Sequence, residues 1–150
     1  MNQRDPVPMG IRPVVCIVDD DADVLEMLAT AAQLAGFDAV PLHRAEDFLS
    51  SAWARDFDCL VLDIHLPGMT GLELLGRLAQ ASRASRVLIV SGDADSRERD
   101  AARRLGAAAV LVKPFDVAAL IERVRGVVAG HVAAAVSVQP PAPSGTPLTS

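Results

Sequence analysis

The sequence predicts an α/β protein, a doubly wound five-stranded parallel sheet with five helices, and three observations carry that prediction. Five short apolar runs rich in β-branched residues recur along the chain, longer stretches with helical spacing separate them, and capping residues and glycines mark most junctions. Parallel strands need crossover helices and are covered on both faces, so their strands read as nearly continuous apolar runs.

Each element can be justified in order. The opening MNQRDPVPMGIR is polar and broken by Pro6 and Pro8, and reads as a flexible arm over residues 1–12. Residues 14–18 form the first strand. Asp21 is placed to cap a helix whose apolar positions are Val24, Leu25, Leu28, Ala31, Ala32 and Leu34, and Gly36 sits where a left-handed residue ends it. Residues 39–42 give the second strand and 45–53 the second helix. The third strand, 59–62, is followed by Thr70-Gly-Leu-Glu73, a capping box for a helix carrying Leu72, Leu74, Leu75 and Leu78. A strand at 87–90 precedes a helix over 96–105 closed by Gly106. The fifth strand, 109–112, leads to a helix over 117–128 that Asp116 can cap and Gly130 closes. The domain therefore spans 13–130. Residues 131–150, rich in Ala, Pro, Ser and Thr, read as a disordered tail or linker.

Composition narrows the function. A chain of 150 residues, 51% hydrophobic, can bury a core without disulfides or metal staples. Its formal charge of −5 argues against a direct nucleic-acid surface, which needs clustered Lys and Arg. Cys16 and Cys59 lie inside apolar runs and read as reduced core thiols. No charged-then-apolar leader and no apolar run near the length of a membrane span is present, so a cytoplasmic protein without membrane contact is expected.

Ligands of doubly wound sheets bind at the carboxyl ends of the strands, which makes the residues found there informative. The first strand ends in Asp19-Asp20, the third in Asp63, the fourth in Ser91-Gly92 and the fifth in Lys113-Pro114. With strands in the order 2-1-3-4-5, these groups converge on one pocket. Three neighbouring carboxylates repel one another, and one lysine cannot compensate for all of them. A hard divalent cation can. Mg²⁺, or Mn²⁺ in its place, suits one or two carboxylates together with a carbonyl, waters and a phosphate oxygen.

Asp19 with Asp20, Asp63, Ser91 and Lys113-Pro114, together with LPGMTGLELL, resembles the receiver domain of two-component response regulators over about residues 13–129. The resemblance implies a flavodoxin-like, chemotaxis-regulator-like fold. It also implies that Asp63 accepts a phosphoryl group from a histidine kinase or a histidine phosphotransfer protein. In that scheme Asp20, Asp63 and the His65 backbone carbonyl hold the metal, and Asp19 holds a metal-bound water. Lys113 pairs with Asp63 at rest and with a phosphoryl oxygen afterwards, while Ser91 bonds another phosphoryl oxygen and moves inward. His65 and Asp93 would face the hydrolytic water and tune the lifetime of the adduct. The resemblance further implies a downstream protein partner at the fourth helix, fifth strand and fifth helix, where SRERDAARR supplies charged contacts, and a homodimer could use the same face. Such a protein is a signalling switch with Mg²⁺-dependent self-phosphorylation and autodephosphorylation rather than a conventional enzyme. One position departs from the pattern: Val110 stands where the family commonly has an aromatic switch residue. Activation is then expected to travel through the loop after Ser91 and the following helix.

Competing readings of the same residues are weaker. Asp21 and Asp23 are explained as a cap and a first-turn acid. The Asp19-x-Asp21-x-Asp23 string fails as a calcium loop, with Val24 where glycine is needed and Thr30 where glutamate is needed. It also fails as a phosphatase motif, since neither Asp23 nor Leu25 is the required Thr or Val. A scaffold with a vestigial pocket would have lost strand-end residues that are all present. His43 and His131 show no ligand spacing, and Trp53 with four phenylalanines makes no stacking platform. A stand-alone receiver is the main expectation; the alternative is the amino-terminal receiver of a longer DNA-binding transcriptional regulator, with the proline-rich tail as its linker.

Overall fold

The computed structural model describes residues 12–92 and 95–138, with side chains through Val132. Among these, β1 (Val14–Val18), β2 (Asp38–Leu42), β3 (Cys59–Asp63), β4 (Val87–Ser91) and β5 (Ala109–Val112) form one parallel sheet in the order β2-β1-β3-β4-β5. Helices α1 (Ala22–Leu34), α2 (Ala45–Leu49), α3 (Gly71–Gln80), α4 (Ser96–Arg104) and α5 (Val117–Val138) alternate with the strands. Pro41, which cannot donate to a ladder, lies in the edge strand β2.

Strand alternation divides the core in two. Val15, Ile17, Cys59, Val61, Leu88 and Val90 pack with Leu25, Leu28 and Ala32 of α1 and Leu120 and Val124 of α5. Cys16, Val18, Leu60, Leu62, Val87 and Ile89 pack with Phe48 of α2, Leu74, Leu75 and Leu78 of α3 and Ala102 of α4. Each fully buried aliphatic or aromatic side chain contributes about 1.5–3 kcal/mol, so the central strands anchor the sheet firmly. The two cysteines are free and buried; burial pushes the Cys16 thiol up to about 12 and raises that of Cys59, in keeping with inert core thiols.

The expected boundaries hold where side chains cap them. Asp21 accepts the backbone N–H groups of Asp23 and Val24, Thr70 and Glu73 form a reciprocal capping box, and Asp116 accepts the Ala118 N–H. Gly36 and Gly106 both have φ near +100°, the left-handed conformation that suits glycine. Gly71 serves a different purpose. A Cβ there would overlap the Asp63 carbonyl, so glycine is what lets the start of α3 lie directly on the end of β3.

Two helices differ from expectation. The stretch 45–53 is not one helix: α2 stops at Leu49, and a 3₁₀ turn follows at Ala52–Ala54. Ser50 donates to the Glu46 and Asp47 carbonyls, and Ser51 donates to the Phe48 carbonyl and accepts the Trp53 N–H, so the two hydroxyls compete with the helical ladder. At the other end, α5 passes Gly130 and continues to Val138, through the first eight residues of the expected tail. A helix-interior glycine costs only about 1 kcal/mol, and the alanine-rich segment that follows favours helix. Of the expected arm, Arg12 is held in place: its guanidinium donates to the Gln33, Gly36 and Phe37 carbonyls and closes the end of α1.

Candidate functional site

Backbone hydrogen bonds bring the strand ends together. The Asp19 N–H donates to the Leu42 carbonyl, the Ile64 N–H to the Val90 carbonyl, and the Lys113 N–H to the Ser91 carbonyl. Asp19, Asp63, Ser91 and Lys113 therefore sit side by side at the carboxyl edge of four adjacent strands. The first three are buried at 1%, 6% and 1% exposure, and no solvent-facing role explains two carboxylates at that depth.

Carboxylate oxygens of Asp19, Asp20 and Asp63 lie within 4.8 Å of one another. Lys113 Nζ donates to Asp19 Oδ2 at 2.8 Å and to Asp63 Oδ2 at 3.1 Å. The expected Lys113–Asp63 pair is thus a bridge that includes Asp19. Asp19 Oδ1 accepts the Asp21 N–H at 2.9 Å, and Asp63 Oδ1 accepts the His65 N–H at 3.0 Å. Three carboxylates facing one ammonium leave two negative charges uncompensated. Burial holds the Asp63 carboxyl above the usual aspartate range despite the opposing bonds from His65 and Lys113. For Lys113, burial alone would lower the value, but the hydrogen bonds to Asp19 and Asp63 outweigh it and raise the ammonium.

The donor set fits a hard divalent cation. Three carboxylates supply oxygen ligands only, Asp20 is exposed and opens the cluster to solvent, and the excess negative charge is what such an ion would neutralise. Soft ligands are absent from the cluster, which excludes a thiolate-type metal centre at this position.

The other residues singled out by the sequence take different places. His65 is exposed, and its Nε2 lies 3.0 and 3.2 Å from the two carboxylate oxygens of Glu98 at the start of α4. Val110 is half-buried against the core beneath α2, α3 and α4. Gly92 is exposed beside Lys113, whereas Asp93 lies outside the described residues. His43 joins no metal-ligating cluster among the described residues, and His131 pairs instead with Asp58 at the opposite end of the sheet.

Sequence reasoning missed three groups near the site. Asp95 and Glu98 form a capping box for α4, and the Asp-x-x-Glu spacing was available to reveal it. Glu46 accepts the Met69 N–H at 2.9 Å, a bond that holds the turn at Gly68 and keeps the Glu46 carboxyl below its ordinary range. Its partner lies 23 residues away, so no local pattern announces it.

Comparison with known proteins agrees with this geometry. The family model described as the response regulator receiver domain matches residues 15–125. The transcriptional regulatory protein FixJ of Azorhizobium caulinodans is 38% identical over 111 residues, covering 74% of this chain and 53% of FixJ. The transcriptional regulatory protein PrrA of Mycobacterium tuberculosis is 34% identical over 113 residues, covering 75% of this chain and 48% of PrrA. The chain thus spans about half the length of these curated relatives. Among solved structures, the response regulator StyR superposes with a TM-score of 0.77 at 29% identity, over 86% of this chain and 65% of StyR. With the strand order, the gathered strand-end residues and a match across most of its length in agreement, the chain belongs to the response regulator receiver domain family.

Proposed function

We propose that this receiver is a phosphorylation-controlled switch in which Asp63 accepts a phosphoryl group from the phosphohistidine of a histidine kinase or histidine phosphotransfer protein. The observation that carries the reading is the clustering of Asp19, Asp20 and Asp63 within 4.8 Å, with Lys113 bridging two of them. A carboxylate oxygen of Asp63 attacks phosphorus as the P–N bond of the donor breaks, and the departing imidazole takes up a proton. Mg²⁺ or Mn²⁺, held by Asp20, Asp63 and the His65 carbonyl with a water on Asp19, would supply charge neutralisation to the transferring group. Lys113 passes from Asp63 to a phosphoryl oxygen, and the Ser91 hydroxyl donates to another. Gly92 leaves room for the group to enter.

Hydrolysis reverses the state, with His65 and Asp93 tuning its lifetime. The inward movement of Ser91, with Val110 in place of an aromatic switch, alters the face formed by α4, β5 and α5, which engages a downstream protein or a second copy of the chain. Among the described residues no helix is long and apolar enough to cross a membrane, and a cytoplasmic setting fits the proposed partners. A second reading, an amino-terminal receiver in a longer DNA-binding regulator, is favoured by the transcriptional regulators among its relatives and by the half of their length that the chain leaves uncovered. In that case DNA contact would belong to the other part.

Mass spectrometry tests the central claim. The purified chain incubated with Mg²⁺ and acetyl phosphate is expected to gain one phosphoryl group, and Asp63→Asn none. An adduct of equal yield on the Asn variant would move the acceptor elsewhere, and no adduct on the parent would remove the reading.

A further inference from the structure

The rim of the pocket carries a contact that the chemistry above does not use. His65, two residues after Asp63, presents Nε2 to both carboxylate oxygens of Glu98. Glu98 lies in the first turn of α4, and its Oε1 also accepts the Asp95 N–H at 3.1 Å, while Asp95 Oδ1 accepts the Glu98 N–H at 2.8 Å. One carboxylate therefore joins the loop leaving Asp63 to the start of the helix that follows Ser91. That helix is lightly held by the core, since Ala102 is its single buried residue.

We propose that Glu98 is a positioning residue that holds the His65 ring across the rim and so ties hydrolysis of the aspartyl phosphate to the position of α4. The proposal rests on the reading of Asp63 as the phosphoacceptor. Valine at position 110 has no ring with which to carry a displacement of Ser91 to the outer face. Glu98 sits in the first turn of the helix that follows Ser91, and its carboxylate meets the His65 ring directly, so a movement of that turn moves the ring. A contact of the ring nitrogen with both carboxylate oxygens, at 3.0 and 3.2 Å, can transmit it without repacking the core. In hydrolysis the water oxygen bonds to phosphorus as the bond to Asp63 breaks. The Asp63 carboxylate and inorganic phosphate are formed, and the proton of the water leaves with the phosphate or to solvent. A ring held by Glu98 narrows the approach of that water; a released ring opens it.

The test loads the purified chain with acetyl phosphate and Mg²⁺, removes the donor and follows loss of the adduct by intact mass. Glu98→Ala and His65→Ala are each expected to hasten the loss about two- to fivefold, the range a single partly exposed side-chain contact can account for. The double variant should be no faster than the faster single variant, because both remove one contact. Glu98→Gln keeps the cap and one acceptor for the ring, and should fall between the parent and Glu98→Ala. Asp95→Ala weakens the cap but leaves the pair, and should stay near the parent. An unchanged rate in Glu98→Ala or additive effects in the double variant would overturn the proposal. So would an Asp95→Ala effect as large as that of Glu98→Ala, which would make the role one of helix capping alone. A parent that takes up no phosphoryl group would instead overturn the phosphoacceptor reading, and this proposal with it.

Discussion

Two aspartates bracket the same strand, and they do opposite things. Asp58 stands just before β3 and Asp63 closes it, at the two ends of the sheet. Asp58 is satisfied: Oδ2 accepts the Val14 N–H at 2.7 Å, Oδ1 meets His131 Nδ1 at 3.1 Å, and its own N–H donates to the Val14 carbonyl. Asp63 is crowded by two further carboxylates with one ammonium between them. A carboxylate whose acceptor sites are filled by fixed donors fastens the chain. One that is buried with excess negative charge is held in a state that a bound cation relieves.

Removing the one cation should widen this contrast most. Lys113→Ala leaves Asp19 and Asp63 buried without their ammonium, and is expected to cost about 3 kcal/mol at neutral pH in denaturant titrations. Its pH dependence follows from the raised Lys113 value. The folded state holds that proton more tightly, so the stabilisation is complete below the ordinary 10.5 and fades as pH rises through the raised value. The parent should therefore weaken in that alkaline range by an amount that Lys113→Ala does not show.

Asp58→Ala sharpens the comparison from the other end. It strips the Val14 N–H and His131 of their acceptor, and a loss of about 2 kcal/mol is expected. The change should be structural only: the thermal shift produced by Mg²⁺ should match that of the parent, whereas a diminished shift would show that the two ends are coupled.

The smallest effect has the opposite sign. The Asp63 carboxyl is raised by burial, so the folded state favours its protonated form, and ionising it at neutral pH costs stability. Asp63→Asn should then be more stable than the parent by on the order of 1 kcal/mol at pH 7. That advantage should shrink as pH falls through the raised value and vanish below the ordinary 3.8, where both folded and unfolded chains are protonated. A variant less stable than the parent at pH 7 would mean that the Lys113 contact outweighs the burial of the charge.

Much of this molecule is legible in its sequence because the signals are local. Apolar runs such as 14–18 and 59–62 are short, β-branched and flanked by breakers, and the Asp21, Thr70–Glu73 and Asp116 caps act within three residues of themselves. The site residues are legible for a related reason: each follows a strand, and the parallel topology sends every strand end to one edge. The breaks in α2 and the length of α5 were less clear, since Ser50 and Ser51 can lie in a helix or compete with it, and Gly130 can end a helix or be carried through it.

Sequence alone therefore determined the fold class and the residues that stand at the strand ends, because periodicity and short-range capping are properties of neighbouring residues; the order 2-1-3-4-5, which brings those ends together, is a property of the folded sheet. Tertiary structure decided how those groups are partnered. That Lys113 bridges Asp19 as well as Asp63, that His65 reaches Glu98, that Glu46 holds Met69 and that His131 answers Asp58 depends on contacts between residues 23 to 94 positions apart. Such partners are selected by distance in the folded chain, and nothing in the local pattern of either residue encodes that distance.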